Sequence, residues 1–191
     1  MLEMLNWRVT YMERTKPPQQ TIPTPPLDGV TFTSNMNISV ELYRDLHKQV
    51  GENWLWWERL TLDNDVLEKL ISHPDTVIYT LHVKKTLAGF VELDQLKKSE
   101  PAIRYFGLMP AFIGQRLGAF MMDSLVSDAW TKNIEKITLD TCDLDHPAAL
   151  EFYKRHCFSE VSTEVKKAVD PRLVGILPKT AAAHIPINRK L

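Results

Sequence analysis

Tyr105-Phe106-Gly107-Leu108-Met109-Pro110 runs through Gly114-Gln115-Arg116-Leu117-Gly118 into a long apolar helical pattern, and this stretch decides the fold. An apolar strand that ends in a glycine-bearing turn at the mouth of a helix is an anion-binding design. Glycines let backbone N–H groups close on a phosphate, and the helix N-terminus adds its positive partial charge. Such a loop alone is common. Its weight comes from the chain downstream of it: a second strand, Lys136-Ile-Thr-Leu-Asp-Thr-Cys142, and a second short helix within residues 146–158.

Upstream, residues 77–83 and 87–94 alternate as two strands about a tight turn at Lys84-Lys85-Thr86, an antiparallel hairpin. A helix is expected over residues 37–50, capped by Ser34 or Asn35 and ended by Gly51, and a second over residues 63–71, ended by His73-Pro74. A strand near residues 30–33 precedes them. Residues 6–14 alternate apolar and polar and predict an extra N-terminal edge strand. Residues 16–26 hold five of the twelve prolines and read as an extended connector. A last strand is expected over residues 159–167, and the tail from Asp170 has little periodicity. The fold class is therefore α/β of the α+β kind: a mixed, mostly antiparallel central sheet flanked by helices, with an added N-terminal strand. The expected organisation is an N-terminal edge strand and Pro-rich connector over 1–29, one folded domain over 30–168, and an irregular tail over 169–191 packed on the same domain.

The order of strand, Gly-rich turn, helix, strand and Ala-x-x-x-Tyr-x-x-x-x-Phe helix resembles the GCN5-related N-acetyltransferase superfamily. The family's pattern Arg/Gln-x-x-Gly-x-Gly/Ala begins here at Ile113, with Arg116 at the first small position and Gly118 at the second. Its later pattern, Asn-x-x-Ala-x-x-x-Tyr-x-x-x-Gly-Phe, falls on His146, Ala149, Tyr153, Cys157 and Phe158. Alanine, tyrosine and phenylalanine match; asparagine and glycine do not. The resemblance implies acetyl-CoA (coenzyme A) as cofactor and direct acetyl transfer to a primary amine in a ternary complex, with no acyl-enzyme at cysteine.

For the cofactor, the pattern implies Ile113, Gly114, Gln115, Arg116, Leu117, Gly118 and Ala119 around the pyrophosphate. Leu108 and Met109 are expected to give main-chain contacts to the pantetheine arm, as a peptide pairs with a strand edge. His146 stands where an asparagine often touches that arm; it also suits a helix start beside Pro147. Tyr153 is the expected proton donor to the leaving thiolate, because a phenol keeps its proton at neutral pH. Glu92 is the expected base for the amine. Trp54, Trp56 and Trp57, three indoles in four residues, are expected to divide between core anchoring and the wall of an acceptor pocket.

With 23 basic and 24 acidic residues in 191, the chain has a formal net charge of −1, so no global field favours nucleic acid or an anionic membrane. No apolar run spans a bilayer and no signal-peptide pattern opens the chain, so a cytoplasmic protein is expected. Cys142 and Cys157 could pair, or act as a nucleophile with His146 or His156, but two reduced thiols are the expectation. No metal-ligand spacing occurs among the cysteines and histidines. The partner is a small-molecule or peptide amine, with a homodimer left open. Because Ile113, Arg116, His146 and Cys157 depart from the pattern, two alternatives stand beside the enzyme: a non-catalytic acyl-CoA sensor and a dimeric interaction module.

Overall fold

The alternation of Ile78 and Phe90 with Tyr79, Leu81, Val91 and Leu93 places apolar side chains on both faces of a central hairpin, so helices must cover both sides. The computed structural model describes residues 4–18, 23–35, 38–130 and 133–187. Among them seven strands form one sheet: β1 (Met4–Arg14), β2 (Val30–Ser34), β3 (Thr76–Val83), β4 (Thr86–Asp94), β5 (Ala102–Leu108), β6 (Ile137–Cys142) and β7 (Ser159–Val169), in the order β2-β3-β4-β5-β6-β1-β7. Neighbours are antiparallel except β5 and β6, which run parallel.

Two helices, α1 (Val40–Gly51) and α2 (Asn64–Ile71), cover one face. Tyr43, Leu46, His47 and Val50 recur at helical spacing and are buried against Ile78 and Phe90. The cap of α1 is Ser39, whose hydroxyl accepts from the Leu42 N–H at 3.1 Å. The expected caps are spent in the sheet: Ser34 ends β2, and the Asn35 N–H donates to the Ile78 carbonyl at 2.6 Å. Residue 37, the expected helix start, lies outside the described residues. The opposite face carries α3 (Leu117–Ala129) and α4 (Ala149–Arg155), with Leu117, Met121, Met122 and Leu125 fully buried.

β1 is not an edge strand. It lies between β6 and β7, pairing with both, because Leu5, Trp7 and Val9 need cover that an edge would not give. That cover comes partly from the tail, whose Leu177, Ala181, Ala182 and Ile185 join the same cluster. A buried Asp170–Arg172 ion pair at 2.7 Å anchors the tail, and Arg172 Nη1 donates to the carbonyls of Ala181, Ala182 and Ile185. A buried guanidinium with its carboxylate and carbonyl acceptors supplied leaves no unpaired charge. No helix among the described residues is long and apolar enough to cross a membrane.

Candidate active site

β5 and β6 pair only at Ala102↔Thr138 and Ile103↔Leu139. Beyond those two positions the strands part, and residues 104–108 of β5 have β4 on one side and an open gap on the other. A bulge at Arg104 of β5, opposite Glu92 and Leu93 of β4, lets β5 bend away there. The gap opens into a cavity of about 930 Å³ that reaches both faces of the sheet.

On the α3 face the cavity is lined by Phe106, Leu108, Ile113, Gly114, Arg116, Gly118, Ala119, His146, Phe152, Tyr153 and Arg155. Gly114 has φ +85°, a conformation that glycine adopts without strain, and a Cβ there would meet nothing within 4 Å. Arg116, also left-handed at φ 61°, precedes the first turn of α3 and gives it no side-chain cap. The N–H groups of Leu117, Gly118 and Ala119 therefore open α3 uncapped, and Phe120 N makes the first helical bond, to the Arg116 carbonyl. Arg116 and Arg155 have no carboxylate partner among the described residues. Uncapped N–H groups, two free guanidinium groups and an unpaired strand edge fit a phosphate-bearing amide chain.

Several expected cofactor residues play other parts. Both main-chain groups of Met109 are engaged: its N–H donates to Ala88 at 2.8 Å and its carbonyl accepts from Phe112 at 2.9 Å. Its N–H is thereby taken from the cofactor arm, and its side chain packs with Tyr105 and Trp56. Gln115 turns its side chain back to the Ala111 carbonyl at 2.9 Å, and the Leu117 side chain is core. His146 accepts the Ala148 N–H on Nδ1 at 3.1 Å, which leaves Nε2 as its donor, and its ring meets Trp54 edge to face.

Tyr153 is 9% exposed, and its hydroxyl has no hydrogen-bond partner among the described residues. Phe106, Phe152 and Phe158 surround its ring. Burial, and then the Asp145 and Asp140 charges, push its phenol far above the ordinary range, so it holds its proton at every working pH. Cys142 also lines the cavity, yet burial and Asp145 keep it a thiol; both cysteines are free. Such a thiol is a poor nucleophile.

On the other face stand Trp7, Trp54, Trp57, Glu58, Tyr105, Asp140 and Lys166. Trp56 is the anchor among the three clustered indoles. Its ring fills the space a Cβ on Gly51 would need, at 2.7 Å, and closes on Gly107. Its Nε1 donates to Asp145 Oδ1 at 3.2 Å. Trp54 and Trp57 form the wall, with Trp54 edge-on to His184 of the tail and Trp57 edge-on to Trp7.

Glu92 stands apart from this cavity. It is 1% exposed, accepts from the Tyr43 hydroxyl, and pairs with Arg59 Nη2 at 2.6 Å. Both oxygens are committed, so the expected base is a structural carboxylate. Glu58 and Asp140 instead open to the cavity. Both side chains are exposed there; the protein surrounding them raises both carboxyl groups above the usual range, chiefly by desolvation, while Arg59 opposes this at Glu58 and Lys166 at Asp140. The sequence carries a signal for Asp140, the one charged position in β6, and none for Glu58. Among the described residues no group of His, Cys, Asp and Glu is arranged to hold a metal ion.

A splayed parallel pair in an otherwise antiparallel sheet, with a glycine turn and helix at the gap, defines the N-acetyltransferase fold. The model of the acetyltransferase (GNAT) family matches residues 39–158, and the chain belongs to that family, whose cofactor is acetyl-CoA. A GCN5-related N-acetyltransferase from Sphaerobacter thermophilus is similar at 9% identity and TM-score 0.63, over 88% of this chain and 52% of that one. Another from Kribbella flavida gives 14% identity and TM-score 0.56, over 91% and 63%. An aminoglycoside acetyltransferase from an uncultured soil metagenomic sample, solved with sisomicin, gives 12% and 0.53, over 67% and 87%. At these identities the likeness is one of fold, and the chain spans only 52% and 63% of the first two proteins. No curated protein matches the sequence.

Proposed function

We propose that the chain is an acyl-CoA-dependent N-acetyltransferase that moves the acetyl group of acetyl-CoA to a primary amine of a small molecule or peptide, with both substrates bound together. The observation that carries this reading is the parting of β5 from β6 after Ile103↔Leu139, which opens a passage between the two faces of the sheet. Acetyl-CoA supplies an activated acetyl thioester, so the protein's work is binding, orientation and proton movement. Leu117, Gly118 and Ala119 offer N–H groups to the pyrophosphate, with Arg116 and Arg155 as charged donors. Phe106 and Leu108 offer main-chain groups to the amide-bearing arm. Tyr153 gives its proton to the departing thiolate, and the acceptor amine approaches from the tryptophan-lined face.

Calorimetric titration with acetyl-CoA and with coenzyme A tests the reading. One-to-one saturable binding is expected, lost in Gly118→Glu because a carboxylate there repels phosphate. No heat and no thermal shift at millimolar ligand would overturn it.

A further inference from the structure

The charges facing the acceptor half of the cavity do not cancel. Each of its cations is held by its own carboxylate: Arg59 by Glu92 at 2.6 Å, Arg104 by Asp94 at 2.7 Å, and Lys166 by Glu164 at 3.0 Å. Asp145 has no cation among the described residues either, but its two oxygens are occupied, accepting from Trp56 Nε1, the Thr141 hydroxyl and the Cys142 N–H. Glu58 and Asp140 have no cationic partner within ion-pair distance among the described residues, and both line the cavity. They approach from different elements. Glu58 opens the short 3-10 turn Glu58–Thr61 after the tryptophans, and Asp140 sits on β6 beside the gap. Across the same cavity, on its α3 side, is Tyr153, nine-tenths buried, with a hydroxyl that has no hydrogen-bond partner among the described residues. Trp54 and Trp57 supply an apolar wall.

We propose that Glu58 and Asp140 together select the acceptor: a cationic primary amine with an apolar body and no carboxylate of its own, whose proton this pair removes. The proposal rests on the acyltransferase reading above and adds the substrate class to it. Negative charges at the cavity wall with no cation paired to them attract an ammonium group and repel an amino acid's carboxylate. A carboxylate facing the cavity beside the bound ammonium can accept its proton.

The proton count closes. In becoming an amide, the ammonium nitrogen loses two protons. One passes to a carboxylate of the pair before attack and on to solvent. The C–N bond then forms as the C–S bond breaks; the thiolate takes the proton of Tyr153, and the nitrogen's second proton, passed through water, restores that phenol, so one proton is released per turnover.

Matched probes test this: tryptamine against tryptophan and phenethylamine against phenylalanine, each pair differing only in the carboxylate. With acetyl-CoA, kcat/KM is expected to favour the amine by roughly a hundredfold, and Glu58→Gln with Asp140→Asn to reduce that ratio to within about threefold. Both side chains are open to the cavity, so thermal melting of the double variant should match wild type and show that folding is intact. Direct calorimetry with tryptamine, acetyl-CoA absent, gives an independent readout. Tryptamine binding that weakens roughly tenfold for each carboxylate neutralised supports the pair even if no acetyl group is transferred, in which case only the acyltransferase reading falls. Equal use of amine and amino acid, or amine binding unchanged in the double variant, overturns the proposal while leaving acetyl transfer standing.

Discussion

Trp56 and Asp145 join the two banks of the cavity: the indole Nε1 of the loop after α1 donates to Oδ1 of the loop after β6, at 3.2 Å. The other oxygen, Oδ2, accepts the Thr141 hydroxyl at 2.9 Å and the Cys142 N–H at 2.8 Å. One carboxylate thus ties the end of a strand that lacks a β5 partner to the wedge that seats the tryptophan loop. Asp145→Ala leaves three donors unsatisfied and is expected to lower stability by about 2–3 kcal/mol in urea unfolding. Trp56→Phe loses one bond and some packing. A double-mutant cycle between them should give a coupling of about 1 kcal/mol; additivity would mean the two sites do not communicate.

Tyr153→Phe separates catalysis from packing. The hydroxyl has no partner among the described residues, and its ring rests among Phe106, Phe152 and Phe158, so the variant should melt within a degree or two of wild type. Acetyl-CoA affinity should hold within about twofold while kcat falls about 10²-fold. Unchanged turnover would make Tyr153 a packing residue, and a protein that binds acetyl-CoA without turnover in wild type would be the sensor.

Local pattern makes much of this legible in the sequence. The hairpin of β3 and β4, the β5 to α3 turn and the Tyr153 helix are written in short-range periodicity, which chain geometry translates directly. The features that escape it are set by distant partners. Residues 6–14 read as a strand, but nothing local says that β6 and β7 close on either side of it or that the tail covers Trp7. Glu92 reads as a base because it sits beside the cofactor strand; its fate is decided by Arg59 and Tyr43, 33 and 49 residues away. Met109 fails for the same reason, since its N–H belongs to Ala88.

Glu92→Gln tests that reassignment. Removing the charge leaves Arg59 half-buried without its counter-ion, a loss of about 3 kcal/mol in stability. Assayed where the variant is still folded, kcat should stay within a few-fold of wild type, and the pH profile should not move. A loss of about 10²-fold or more in kcat at full folding would return Glu92 to the chemistry.

His47 carries a cost that the fold absorbs elsewhere. It is fully buried among Tyr43, Phe90 and Tyr105, and neither ring nitrogen has a hydrogen-bond partner among the described residues. Burial, reinforced by the Arg59 charge, drives its pKa down to about 3, against 6.5 in an unfolded chain. Below pH 6.5 the unfolded state therefore binds the extra proton, and the stability present at neutral pH is progressively lost as pH falls toward 3. Between pH 7 and 5 this one group removes about 2 kcal/mol. His47→Leu, close in volume and free of unsatisfied nitrogens, should be about 1 kcal/mol more stable at pH 7. Its stability should also fall less than that of wild type between pH 7 and pH 5, by that same 2 kcal/mol. Urea unfolding of both proteins at the two pH values decides it: parallel losses would mean that His47 finds a proton or a partner in the folded state.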